Sequence, residues 1–330
     1  MAEKTVTVKN TGEFGCIRKI THGFINRPEW VKLGSGDDCA VYTVPDGMDE
    51  LISTDTMVEG IHFTAETMGP CDVGFKLCTS NFSDVAAMGG RPCGFVISAG
   101  LPENLPLAWL EACYDGIREA CRRYGVNLLG GDITGSPGGI ILTGTVTGMV
   151  PADTAVKRSG ARAGDLVCVT GHPGDSGAGL EVIFRKEEQK FPRLAEKHRR
   201  PKPNPELAWK LRELGASAMD DISDGLSSEL NEISHASHVN IVVDGEKIPV
   251  SEETIRFSQL IHQNILHFPL TGGEDYELVF TIPRSAAHRL QIFPEVHIIG
   301  YVEEGNGVVQ LKQRDIMHIL KPEGYHHFEK

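Results

Sequence analysis

The stretch "ASAMDDISDGLSSELNEIS" (216–234) sets the frame for reading this chain. It opens on apolar residues that read as a short strand and breaks at Gly225. It then continues with Leu226, Leu230 and Ile233 at the three-to-four-residue spacing of a helix. A strand handing over to a helix through a glycine turn is the repeating unit of an α/β chain. The same alternation extends in both directions. Upstream, "LISTDTMVEG" (51–60) and "VNLLGGDIT" (126–134) read as strands that end in polar turns. "GGIILTGTVTGMV" (138–150) is a β-branched strand, and "LAWLEACYDGIREACRRYG" (107–125) is a helix stopped by Gly125. After the turn-rich "PADTAVKRSGARAGD" (151–165) a second set begins. "DLVCVTG" (165–171), "VNIVVDG" (239–245), "YELVFTI" (276–282) and "VHIIGYV" (296–302) are strands, and "SGAGLEVIF" (176–184) starts a helix. A chain of 330 residues favours two domains. The fold expected is therefore α/β (α+β), with one domain over 1–150 and an α/β domain over 151–330.

Two secondary features carry expectations of their own. The segment "KEEQKFPRLAEKHRRPKPNP" (186–205) is the one strongly basic, proline-bearing stretch and reads as an exposed connection inside the second half. "NFSDVAAM" (81–88) and "DISDGLSS" (221–228) share a Ser-Asp pair that would open a helix in each half, an echo that would make the halves related.

Composition narrows the function. The net charge is −13, which argues against nucleic acid and anionic membranes as partners, because both need basic patches. It leaves room for a phosphorylated ligand, since bound divalent cations can reverse the local sign. No apolar run approaches a membrane span, and "MAEKTVTVKNTGEFG" (1–15) lacks a secretory layout, so the cytoplasm is expected. All eight cysteines fall within the first 168 residues without a CxxC, and read as small buried hydrophobes.

The acidic residues recur in one setting: "GSGDDCAV" (34–41), "ISTDTMVEG" (52–60), "NFSDVAAMGG" (81–90), "LLGGDITG" (128–135), "MDDISDGL" (219–226) and "TGGEDYEL" (271–278). Each lies where an apolar segment gives way to a turn. Alone, any of them is an ordinary turn or helix cap. Six together point to hard cations, and magnesium is commonly shared between one or two carboxylates and substrate phosphates. Other chemistries fail on spacing. Gly-Lys never occurs, so there is no P-loop. "VCVTGHPGDSGAGLEV" (167–182) follows a strand but does not give GxGxxG, although its helix start could still greet an anion. "GDSGAG" around Ser176 and His288 stand in the wrong order for a serine protease. His235 and His238 lack any HExxH context and read as an exposed helix face.

Taken in order, "GDDCAV", "STDTMVEGIHF" (53–63), "NFSDVAAMGGRP" (81–92), "LLGGDIT", "KRSGARAGD" (157–165), "TGHPGDSGAGL" (170–180), "DISDGL" and "GGEDYEL" (272–278) resemble the bacterial thiamine-monophosphate kinases. Those belong with the aminoimidazole ribonucleotide and selenophosphate synthetases. The likeness spans "GEFGCI" (12–17) to "GYHHF" (324–328), nearly the whole chain. It implies a two-domain synthetase-like fold, with an N-terminal ferredoxin-like domain that binds ATP and metal and pairs its sheet in a homodimer. It implies Mg2+-dependent transfer from ATP to thiamine monophosphate, with several ions and no protein general base. Metal ligands implied by the resemblance are Asp38, Ser53, Thr54, Asp55, Asp84, Asp132 and Asp221, with Asp224 on a further ion. ATP would meet Tyr114, Gly131, Asp132, Arg158 and Ser223. His62, Glu274 and Tyr325 would face the thiamine phosphate, and the tail departs from the family pattern at His326. Asp37 stands beside Asp38 as a possible helper, and Asp220 is expected to be structural. The competing readings are a sister ligase acting on a ribonucleotide amide, a selenophosphate synthetase, which Cys16 in "EFGCIRK" suits poorly, and a non-catalytic binding module.

Overall fold

The computed structural model describes residues 6–20, 23–34, 39–314 and 316–325. Its backbone divides into two compact units, Met1–Val85 with Arg91–Asp153, and Ala86–Gly90 with Thr154–Lys330.

In the first unit, two short helices (Val8–Thr11 and Glu13–Ile20) and a small ribbon (Val31–Leu33 with Val41–Tyr42) precede the main sheet. That sheet contains β1 (Met48–Val58), β2 (Arg91–Leu101), β3 (Asn127–Gly135) and β4 (Ile141–Pro151). The spatial order is β1-β4-β2-β3, so the strand made last lies between the first two. β4 runs antiparallel to both neighbours, and β2 and β3 are parallel across a helical crossover. Helices α1 (Pro70–Ala87) and α2 (Leu107–Tyr124) supply the crossovers. Strand alternation sends Phe95, Ile97, Leu142 and Val146 into one core with Phe75, Phe82, Leu110 and Ile117 of the helices. The two helices touch backbone to backbone. A Cβ built on Gly74 would fall 1.9 Å from the Cys113 carbonyl oxygen, and one on Gly116 1.9 Å from that of Cys71. Only hydrogen fits at either position.

The other sheet face is open. Its rows read Thr54–Thr145–Val96–Gly130 and Thr56–Thr143–Ser98–Asp132 across the four strands. The hydroxyls of Thr56 and Thr143 lie 2.9 Å apart, and Ile52 on this face is 73% exposed.

The second unit holds a seven-stranded sheet. Its strands are β5 (Leu166–Thr170), β6 (Ala218–Asp221), β7 (Val239–Asp244), β8 (Leu278–Ile282), β9 (Val296–Glu304), β10 (Val309–Gln313) and β11 (Ile316–Ile319). The order is β11-β10-β7-β9-β5-β8-β6, antiparallel except between β10 and β7. Both faces of its centre are covered, which explains the continuous apolar reading of "DLVCVTG". Val167 and Val169 pack with Leu226, Leu230 and Ile233 of α6 (Leu226–Ser237). Leu166 and Cys168 pack on the opposite side with Leu207 and Leu211 of α5 (Pro205–Leu214). Three further helices, α3 (Asp175–Phe184), α4 (Pro192–Arg199) and α7 (Glu252–Leu260), enclose a cluster around Phe191 and Phe257.

Three sequence expectations change here. The basic segment is not simply an exposed connection. Its middle is α4, which buries Leu194, Ala195 and His198, because three apolar-facing positions suffice to dock a short helix. Nor does the Ser-Asp echo mark equivalent places. Ser83 and Asp84 lie inside α1, whereas Ser223 and Asp224 precede α6 in a loop. Six cysteines are buried as expected, but Cys71 is only partly buried and Cys39 is exposed.

Candidate functional site

In the first unit the implied residues divide between the two sheet faces. Ser53 and Asp55 alternate onto the helix side of β1, level with the buried Val146 and with Gly144. The Ser53 hydroxyl donates to Asp84 Oδ2 of α1 at 2.6 Å, and the Asp55 N–H donates to Asn81 Oδ1 at 3.0 Å. Ser53, Asp55 and Asp84 therefore share one neighbourhood. Thr54 points the other way and donates to the Gly144 carbonyl at 2.7 Å. Asp132 also sits on the open face, level with Ser98 on the far edge strand, while Gly131 falls in the row of Asp55. His62 follows β1 in a tight turn, where its Nδ1 accepts the Val58 N–H at 3.0 Å. Tyr114 is a core side chain, 5% exposed, packed edge-on against Phe24, and burial pushes its hydroxyl pKa up. This burial makes Tyr114 part of the scaffold of its unit. Asp37, Asp38 and His326 lie outside the described residues.

In the second unit four implied residues come together through backbone hydrogen bonds. Beyond β6 and β8 the two chains continue side by side. Ile222 N–H donates to Glu277 O at 2.7 Å, Tyr276 N–H to Ile222 O at 2.9 Å, and Glu274 N–H to Ser223 O at 2.6 Å. Tyr325 N–H closes on Asp224 O at 3.3 Å. Ser223, Asp224, Glu274 and Tyr325 thus converge, with Asp221 one step back at the end of β6. Arg158 reaches the same strand from the start of the unit. Its Nε lies 2.6 Å from Oδ2 of the buried Asp220, leaving the rest of a half-exposed guanidinium outward. Burial raises Asp220 most, Arg158 opposes, and the carboxyl settles at about 6. This is the structural part expected of Asp220.

Two buried carboxylates, Glu229 and Asp275, and the partly buried Glu277 carry no distinct mark in the sequence. Glu229, 3% exposed in the first turn of α6, turns its Oε1 back to the loop. That oxygen accepts the N–H of Ser223 at 3.2 Å, the Ser223 hydroxyl at 3.3 Å and the N–H of Asp224 at 2.8 Å. Burial lifts its pKa well above the usual range. Asp275 is fully buried and caps α3, accepting the Gly174 N–H at 2.6 Å and the Ser176 N–H at 2.9 Å. The anion greeted by this glycine-rich helix start is therefore the chain's own carboxylate. Glu277 receives Lys197 of α4 at 2.6 Å and the Thr170 hydroxyl at 2.7 Å. Burial would raise Glu277, but those partners reverse it and hold it below its ordinary value. The sequence signals were faint: an acid in a first helical turn for Glu229, and the neighbours of Glu274 for the others.

Asp275 has a measurable consequence. Burial raises it most, Lys197 and the two N–H donors pull back, and it rests at about 7 against an ordinary 3.8. The native state then holds a proton that the unfolded chain has released, so stability present below the ordinary value is lost as pH rises through about 7. Asp220 acts in the same direction up to about 6. The thermal midpoint should fall between pH 5 and pH 8, and Asp275→Asn should flatten that slope. A midpoint that rises across this interval contradicts the assignment.

Among the described residues, no three His, Cys, Asp or Glu side chains group closely enough to hold a metal unaided. The donors present are nonetheless hard oxygens, on β1, β3, the end of β6, α1 and the loop before α6, which suit magnesium completed by phosphates and water. No helix among the described residues is long and apolar enough to cross a membrane.

Comparison with known proteins adds the family. AIR synthase related protein, N-terminal domain, matches residues 36–150, and the corresponding C-terminal domain matches 162–312. The chain is 34% identical to thiamine-monophosphate kinase of Bacillus subtilis (strain 168), over 96% of this chain and 99% of that one. The solved thiamine-monophosphate kinase of Stenotrophomonas maltophilia K279a superposes with a TM-score of 0.81 at 30% identity, covering 91% of this chain and 97% of that one. A structure of AaThiL complexed with AMPPCP and TMP does so at 0.77 and 33%, covering 99% and 100%.

Proposed function

The chain belongs to the thiamine-monophosphate kinase family and is a phosphotransferase that forms thiamine diphosphate from thiamine monophosphate and ATP; on that premise we propose how its own residues contribute. The observation that carries the proposal is the convergence of Ser223, Asp224, Glu274 and Tyr325 on one interlocked loop pair. Ser223, Gly131, Asp132 and Arg158 serve the nucleotide, and His62, Glu274 and Tyr325 serve the acceptor. Ser53, Thr54, Asp55, Asp84, Asp132, Asp221 and Asp224, with Asp38, hold Mg2+.

The reaction asks little covalent chemistry of the protein. The nucleophile, an oxygen of the acceptor phosphate, is ionised near neutral pH, so no side chain need act as general base. The obstacle is repulsion between two polyanions. When bound, Mg2+ neutralises and aligns phosphate oxygens. The carboxylates fix where such cations can sit, Arg158 offers its outward guanidinium to phosphate, and the loop hydrogen bonds keep Asp224 and Glu274 in register. This reading places the protein in the cytoplasm, where ATP is available.

An ADP-release assay with Mg2+, ATP and a panel of acceptors tests the reading. Turnover is expected with thiamine monophosphate and little with thiamine or formylglycinamidine ribonucleotide. Turnover confined to the ribonucleotide would replace the kinase by a ligase. The open face of the first sheet, with exposed Ile52, Val96 and Ile141, supports pairing of two copies sheet to sheet. Ile52→Glu should then shift sedimentation from dimer to monomer. A wild-type monomer at micromolar concentration would remove the homodimer from the proposal.

A further inference from the structure

The turn that presents Glu274 is built in an unfavourable backbone conformation. Glu274 has φ 63° and Tyr276 φ 52°, both left-handed and neither glycine. Each such residue costs on the order of 1 kcal/mol and persists only where its surroundings over-determine it. Two restraints are backbone bonds, from Glu274 N–H to Ser223 O and from Tyr276 N–H to Ile222 O. The third lies between them. Asp275 points away from solvent and docks on the Gly174 and Ser176 N–H groups, at the start of α3. Gly174 itself has φ 91° and no room for a Cβ beside Phe268 and Pro269, so this helix has no side-chain cap of its own at that position. The charges facing Asp275 are Lys197 from α4 and Asp175 from α3.

We propose that Asp275 is a positioning residue: by docking on the start of α3 it fixes the turn so that the Glu274 carboxylate meets the cationic, hydrogen-bond-donating rings of the acceptor. This rests on the reading of Glu274 as acceptor-facing. A carboxylate repels the phosphate end of thiamine monophosphate and complements its thiazolium and aminopyrimidine end. Fully buried, Asp275 touches neither substrate. It acts through the placement of Glu274, where an error of about 1 Å can cost on the order of 10²-fold.

Steady-state kinetics on Asp275→Asn, Ser176→Pro and Glu274→Gln separate the possibilities. Ser176→Pro keeps the Asp275 carboxyl group in the chain but puts a ring carbon where its oxygen meets the Ser176 N–H, so the carboxylate is displaced from the start of α3 rather than removed. Asp275→Asn should raise KM for thiamine monophosphate at least about 10-fold, with KM for ATP within about 2-fold and kcat within several-fold. Ser176→Pro should move the same constant in the same direction. If Glu274→Gln leaves that KM unchanged, the reading of Glu274 falls and the proposal with it. If Glu274→Gln raises it while Asp275→Asn and Ser176→Pro do not, the proposal alone is overturned. Equal loss for both substrates also overturns it. Should neither variant fold, amide exchange on the wild-type protein decides. Thiamine monophosphate should slow exchange at Gly174 and Ser176, and unchanged exchange there overturns the proposal.

Discussion

Asp132→Asn and Asp55→Asn are each expected to lower kcat by on the order of 10³-fold while the melting temperature stays within a few degrees of the parent. Asparagine keeps the shape of the side chain and removes the charge that would hold a divalent cation. The fold should tolerate the change. Asp132 is exposed on the open sheet face, and Asp55 is fixed to Asn81 through its backbone N–H, which the substitution leaves in place. Rates at saturating Mg2+, read beside circular-dichroism melts, check the expectation. A variant that retains near-normal rate at high Mg2+ takes its residue out of the ligand set. The pair is informative because the two aspartates occupy opposite faces and opposite edges of one sheet. Equal losses would mean that both faces serve the reaction.

Gly116→Val should be the most damaging single change to stability, at about 3 kcal/mol or more, or a chain that fails to fold. Its Cβ would overlap the Cys71 carbonyl, and Gly74 faces the same constraint from Cys113, so neither helix can yield without losing the other contact. Backbone atoms cannot change rotamer to relieve the overlap. Urea unfolding gives the number, and a Gly116→Val protein that unfolds at the parental midpoint would show the close approach to be wrong.

The strands and the main helices were legible because their patterns are local. The alternation in "GGIILTGTVTGMV" and the glycine stops at Gly125 and Gly225 need no tertiary information. What could not be read was parity. Whether Asp132 shares a face with Asp55 depends on which strands pair and in what register, and β4 inserts between β1 and β2 from about 90 residues away in sequence. The burial of Tyr114 was hidden for a similar reason, since one face of α2 is decided by what packs on it. Asp275 and Glu229 escaped notice because an acidic residue in a turn looks alike whether it binds a cation or fills a nest of the chain's own N–H groups. The basic segment misled through its charge, since Lys197 and His198 are drawn inward by Glu277 and the neighbourhood of Ser176.

The insertion of β4 also dictates an order of events during synthesis. Among the described residues β1 pairs with β4 and with no other strand, from Met48 opposite Pro151 to Val58 opposite Ile141. After Val58 has emerged, roughly 90 more residues must follow, about 5–20 s at ordinary elongation rates. Through that interval the described strand that pairs with β1 is not yet made, so Ile52 and its neighbours await their partner. The unit is closed by its last strand, as a keystone is set after both flanks of an arch.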